Sequence, residues 1–278
     1  MTEAILNSRA RGAKSARSAK SATTRMFYVW MAAACLLIAV VGFLPTYFVP
    51  MAQGHYHAPP MVHVHGIVLF SWVAFFLTQT WLVASGRTID HRAWGVLGVS
   101  IVTAMVFIVT AVVSLRIAQA QLPGQPAGVD HAVRAFAWVS ISGLLFLTPV
   151  FVLAIVYVRK PEIHKRLLLL MTIAMLGAPI ARWFLVFLAP APDPNAPPPP
   201  AGLPVASAPP VFVSIPPALI GDLLLVIAML YDWRTRGRPH PAYLIGGAAL
   251  LLVQLTVVPV AESPAWQAVA TALGHLAG

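Results

Sequence analysis

Of the 278 residues, 59% are apolar and only 9% are charged, with a mean hydropathy of +0.81. A soluble domain carries about a quarter charged residues, so the composition excludes a soluble globular protein and reads as an integral membrane protein. The net charge of +10 invites a nucleic-acid reading, but six of the 18 Lys and Arg precede Met26 and nine sit in three later loops. Such clustering is the positive-inside pattern of a chain that crosses a bilayer repeatedly, not a basic groove.

Residues 1–25, with Arg9, Arg11, Lys14, Arg17, Lys20 and Arg25 among Ser and Ala, hold no core-forming run and read as a disordered basic cytoplasmic tail. The same bias also fits a mitochondrial presequence, whereas a cleaved signal peptide fits worse because the next apolar run is long enough to span. Cys35, inside that run, is the single cysteine and excludes an intrachain disulfide.

Apolar windows of about 20 residues, the length a bilayer requires, follow over 26–49, 62–84, 92–117, 131–158 and 164–188. A sixth covers 214–231 and a seventh 243–260, with a short interfacial helix expected over 266–276. The fold class is therefore all-α, a polytopic membrane bundle of seven transmembrane helices. It divides into a five-helix core over 26–188, a Pro-rich loop over 189–210, a hairpin over 211–260 and a short terminal segment, 261–278. Loops around Arg87, Arg159–Arg166 and Arg234–Arg238 are basic, whereas 50–61, 119–130 and 189–210 contain no Lys or Arg. This alternation predicts a cytoplasmic amino terminus, with the Pro-rich loop and terminal segment periplasmic.

Histidines supply the chemistry. His65 and His131 open the second and fourth spans at the non-basic face, and His91 and His164 open the third and fifth at the basic face. Two imidazoles on facing helices at one depth can bind haem iron from both sides. The expectation is thus two b-type haems, one near each surface, and transmembrane electron transfer between them. It requires the nitrogens of each pair to face one another across about 4 Å.

Gly95 and Gly98, four and seven residues after His91, would clear space for a macrocycle. Arg134 and Arg182 would serve the propionates of the outer site, and Arg92, Lys165 or Arg166 those of the inner one. Histidines at span ends also sit simply among headgroups, and small residues also serve plain helix packing.

A second constellation, His55, His57, His63 and His65 with Asp130 and His131, suits copper or zinc. It carries the alternative function of a copper- or haem-handling assembly protein for a respiratory complex. A cofactor-free structural subunit is the third reading. Asp222 is expected inside the sixth span, one third of the way down from Ser214. Counting 18 residues at 100° from His164 brings Arg182 to a similar depth, so a buried Arg182–Asp222 ion pair is predicted, with a proton-carrying Asp222 as alternative.

The run His63-Val-His65-Gly66, then Trp72, Gln79-Thr80, Gly86-Arg87, His91-Arg92, Gly95, Glu162-Ile-His164-Lys165-Arg166-Leu167 and Arg182, resembles a group of uncharacterised bacterial multi-pass membrane proteins over about residues 55–188. That resemblance implies a bacterial inner membrane and no particular activity. The helix-by-helix placement of the histidines is similar to that of the di-haem transmembrane b-type cytochromes, which pair the second helix with the fourth and the third with the fifth. The likeness is one of arrangement, without a shared motif. It implies respiratory membrane subunits as partners.

Overall fold

Each apolar window forms a helix because no backbone N–H or C=O can be left unpaired in hydrocarbon. The computed structural model describes residues 24–56, 58–187 and 208–277. Most of the expected tail and Pro-rich loop, and His57, lie outside the described residues. The helices are α1 (Thr24–Ala52), α2 (Pro60–Ala84), α3 (Thr88–Ala120), α4 (Val129–Val156), α5 (Pro161–Ala174), α6 (Gly177–Phe187), α7 (Ile215–Arg236), α8 (Pro241–Ala261) and α9 (Pro264–His275). Together α5 and α6 make the fifth span, and the described residues hold seven spans. The chain is an integral membrane protein built as a multi-pass helical bundle.

Between 22% and 44% of each span's most apolar window is buried within the protein. The remainder, including Ile67, Val96, Phe107, Leu145 and Ile245, is exposed and apolar, a surface only acyl chains can cover. One core runs through the bundle, from Trp72 and Met105 through Phe146 and Leu170 to Tyr243 and Trp266. The α7–α8 hairpin and α9 are therefore welded to the first five spans: α8 packs on α4 and α5, and α9 packs on α3 and α4.

Two local breaks set the positions of the polar groups. Within α1 the ladder widens to a π turn over Leu44–Phe48, where Pro45 offers no N–H. The fifth span breaks at Met175–Leu176, just before Gly177 and Pro179, so α5 and α6 do not share one helical phase. The turns at Ser85–Arg87, Tyr157–Lys160 and Gly237–His240 share one side of the bundle, called here the basic face. Ser214 does not cap α7; its Oγ donates to the Val211 carbonyl.

Candidate functional site

At the basic face His91 and His164 come together. Gly86, at φ +84°, reverses the chain. An exposed Arg87–Asp90 pair at 2.7 Å then closes the first turn of α3, which carries His91. Pro161 starts α5, whose first turn carries His164. The two imidazole rings lie 6.5 Å apart, centre to centre, with planes at 74°. His164 Nδ1 sits 2.8 Å from the Ala154 carbonyl, one of the last four acceptors of α4 that the helix cannot satisfy. A carbonyl can only accept, so Nδ1 carries a proton and Nε2 is the nitrogen left for another partner. His91 Nδ1 is buried without a partner.

Gln79 belongs to the same level. Phe75 lies against Gly98, and Trp72 Nε1 donates to Thr172 Oγ1 at 3.2 Å. Counting along the antiparallel helices at about 1.5 Å per residue brings Gln79 within about 5 Å in depth of both imidazoles. Both its amide atoms are buried and unpaired. Three orphaned polar atoms, from Gln79 and His91, thus lie within about 5 Å in depth of one another, each costing about 1–3 kcal/mol unless something bonds to it. A side chain at Gly95 would meet nothing within 4 Å, so space remains one turn above His91. Gly98 does not share that role, because a Cβ there would stand 2.8 Å from the Phe75 ring.

The cations beside the pair are not equivalent. Arg92 is exposed. Lys165 donates to Glu162 at 2.6 Å and lies 5.0 Å over the Tyr28 ring, so its charge is already matched. Arg166, only 2% exposed, makes a two-pronged pair with Asp232, itself 1% exposed: Nε to Oδ2 at 2.8 Å and Nη2 to Oδ1. Its Nη1 donates to Glu162 Oε2 at 2.8 Å, which Arg236 also reaches at 2.5 Å. Asp232 Oδ2 further accepts from His240 N–H at 3.2 Å. His240 Nδ1 in turn accepts from Ala242 N–H and caps α8. Burial, with the Arg166 and Arg236 charges behind it, holds the His240 imidazole below its ordinary pKa.

At the opposite face the expected outer pair does not form. His131 Nε2 meets Glu262 Oε2 at 2.8 Å, both about half exposed, because the α8–α9 turn brings Glu262 against the start of α4. Arg134 pairs with Asp130 and donates to Gln267 Oε1 at 2.9 Å, and its carbonyl accepts from Trp266 Nε1 at 2.7 Å. Asp130, His131 and Arg134 therefore bind α4 to the carboxyl-terminal elements. His65 lies instead within electrostatic reach of Arg182, its Nδ1 buried and unpaired. No hydrogen bond or ring contact joins His65 and His131 among the described residues.

Nor do the described loop histidines gather into a metal site. His63 Nδ1 is 2.8 Å from Tyr47 Oη, and His55 is exposed. Among the described residues no three His, Cys, Asp or Glu side chains are placed to hold a metal ion.

The Arg182–Asp222 pair is likewise absent. Asp222 lies beside Gln254 on α8, and Arg182 lies 5.1 Å over the Phe43 ring. The broken fifth span explains this: a phase carried through 18 unbroken residues fails across Met175–Leu176. The buried pair that docks the hairpin is Arg166–Asp232 instead. Its sequence signal was an acid, Asp232, directly before a basic loop. No protein-family model, curated protein or solved structure matches the chain.

Proposed function

We propose that this protein binds a b-type haem at its basic face, where His91 and His164 would hold the iron, and works as a membrane-bound electron carrier. Two imidazoles bound to one iron at about 2 Å each have ring centres about 6 Å apart, since each centre lies about 1 Å beyond its nitrogen. The 6.5 Å separation of these two rings is the observation that carries the reading. The bond from His164 Nδ1 to the Ala154 carbonyl supports it, because metal-bound histidines are oriented by such a bond on their other nitrogen. The open space at Gly95 and the exposed Arg92 suit a macrocycle edge and its propionate. Haem would supply one-electron chemistry; the chain's own part would be to hold the His91 and His164 imidazoles at fixed separation.

The reading is narrower than two haems. With His131 turned to Glu262, no second pair supports a relay to the far surface. Entry and exit of electrons would then both occur at the basic face, in contact with another respiratory membrane subunit. The resemblance to bacterial multi-pass proteins supports a bacterial inner membrane, and the positive-inside pattern a cytoplasmic basic face.

The test is a reduced-minus-oxidised optical spectrum of the protein purified from cells supplied with haem. Sharp b-type bands are expected, absent in His91→Ala and His164→Ala and retained in His65→Ala and His131→Ala. Colourless wild-type protein overturns the reading. Stoichiometric copper or zinc without haem absorbance would replace it with a metal-handling role.

A further inference from the structure

Around Arg182, at the face opposite the imidazole pair, lie buried polar atoms that have no partner among the described residues. Gly42 lets α6 cross α1 there, since a Cβ at that position would overlap Pro179. One turn further, Arg182 lands over Phe43, where the π turn of α1 begins and packs against α6. The ring attracts the guanidinium but accepts none of its N–H groups in the plane. Arg182 Nε is buried without a partner, and no hydrogen bond or ion pair to Arg182 exists among the described residues. His65 Nδ1 and Thr46 Oγ1 are also buried and unpaired. Arg116 lies within electrostatic reach and adds positive charge. Tyr56 lies beside the group, ringed by Tyr47 and His63 with centres 5.0 and 5.7 Å away. Burial and Tyr47 push its phenol above the ordinary range, while Arg182 pulls it down.

We infer that Arg182, with Thr46 and His65, forms a binding site for the phosphate group of an anionic ligand. The chemistry of the cluster selects the class. Its fixed charge is a guanidinium fork, Thr46 and His65 can each present a hydrogen to an acceptor, and no carboxylate among the described residues bonds to it. A planar fork with adjacent hydroxyl and imidazole donors matches an oxyanion with several acceptor oxygens. An unpaired arginine at membrane depth marks a ligand or ion site more often than a structural one. A π turn frequently marks functional positions too. The phosphate can belong to a lipid headgroup or to a soluble ion, and the two are separable.

Two measurements on the full-length detergent-solubilised protein test the site. The first follows thermal melting with inorganic phosphate against chloride at equal ionic strength. The second counts phosphatidylglycerol retained in native mass spectrometry after extraction from membranes. Arg182→Gln should weaken whichever ligand binds by about tenfold or more, the loss of charge-assisted bonds, and Thr46→Val by a few-fold. An effect in the melting arm alone identifies a soluble phosphate, and retention of phosphatidylglycerol by wild type but not by the variant identifies a headgroup. If neither arm separates wild type from a helical Arg182→Gln, the site does not exist. Should that variant fail to fold, Thr46→Val decides, and wild-type behaviour in both arms overturns the inference. Equal destabilisation by Arg182→Gln and Asp193→Asn also overturns it, because the chain then supplies its own anion.

Discussion

Replacing Asp232 with alanine removes the carboxylate that receives two charge-assisted bonds from Arg166 and one N–H from His240. The guanidinium left behind is 2% exposed, so water cannot take over. Breaking a buried pair from one side costs about 3–5 kcal/mol, mostly the uncompensated charge. Here the figure falls near the lower end, about 3 kcal/mol, since Arg166 still donates to the Glu162 carbonyl at 2.7 Å and to its carboxylate at 2.8 Å. Equilibrium unfolding in mixed micelles, read by tryptophan fluorescence, measures it.

The double variant Arg166→Leu/Asp232→Leu removes both charges and fills the space. It should recover most of the loss, because paired ions exchanged for apolar groups are often neutral or stabilising by about 1–4 kcal/mol. Glu162 would keep Lys165 and Arg236 as partners. An Asp232→Ala cost below about 1 kcal/mol, or a double variant no more stable than the single one, would refute the claim that this pair docks the hairpin.

His240 gives a pH dependence. Its folded pKa lies below its ordinary 6.5, so the unfolded chain binds the proton first as pH falls. The stability contributed by the neutral, capping imidazole is full above about pH 6.5 and declines as pH drops toward the folded value. His240→Asn caps without titrating, so the wild-type melting temperature should fall relative to this variant between about pH 7 and 5; parallel curves would exclude the effect. At Gly42 an added methyl meets Pro179, so Gly42→Ala should destabilise by about 1–3 kcal/mol. Gly66→Ala, with nothing within 4 Å, should be neutral or stabilising by up to about 1 kcal/mol, and unfolding titrations compare the two. Trp72→Phe, losing the indole bond to Thr172, should cost about 1 kcal/mol by the same titration, and a loss shared equally by Thr172→Val and the double variant would attribute it to that bond.

Span number and most boundaries were legible because hydrocarbon imposes a length that few apolar runs satisfy by accident. The second span was expected over 62–84 and runs over Pro60–Ala84. The sixth was expected to stop at Tyr231 but continues to Arg236, because Asp232 and Arg236 read as loop charges while the fold pairs them with α5. Side-chain partners were harder to read. His131 and Glu262 are 131 residues apart, and only the α8–α9 turn brings them together. The fifth span was read as one unbroken helix over 164–188, although it breaks just before Gly177-Ala-Pro179. Phase arithmetic through that break sent Arg182 to the wrong neighbour. The closeness of His91 and His164 was legible because both residues open helices that start at the same face and run parallel, a constraint of topology that needs no knowledge of packing.

The buried ion pair and the imidazole pair are mechanically one device. His164 and Arg166 stand two residues apart on α5, so their side chains leave the helix about 200° apart. Arg166 is held on one side by the two-pronged bond to Asp232, and that bond fixes the rotation of α5 about its axis. With the rotation fixed, His164 must face the other way, toward Ala154 and His91. A point-charge lysine in place of Arg166 would keep the charge but lose the planar fork. Arg166→Lys should therefore leave the protein folded while loosening the His91–His164 geometry, visible as broadened histidine resonances in labelled protein. Unchanged histidine spectra in a folded Arg166→Lys variant would show that α5 takes its rotation from apolar packing around Leu169 and Leu170 alone.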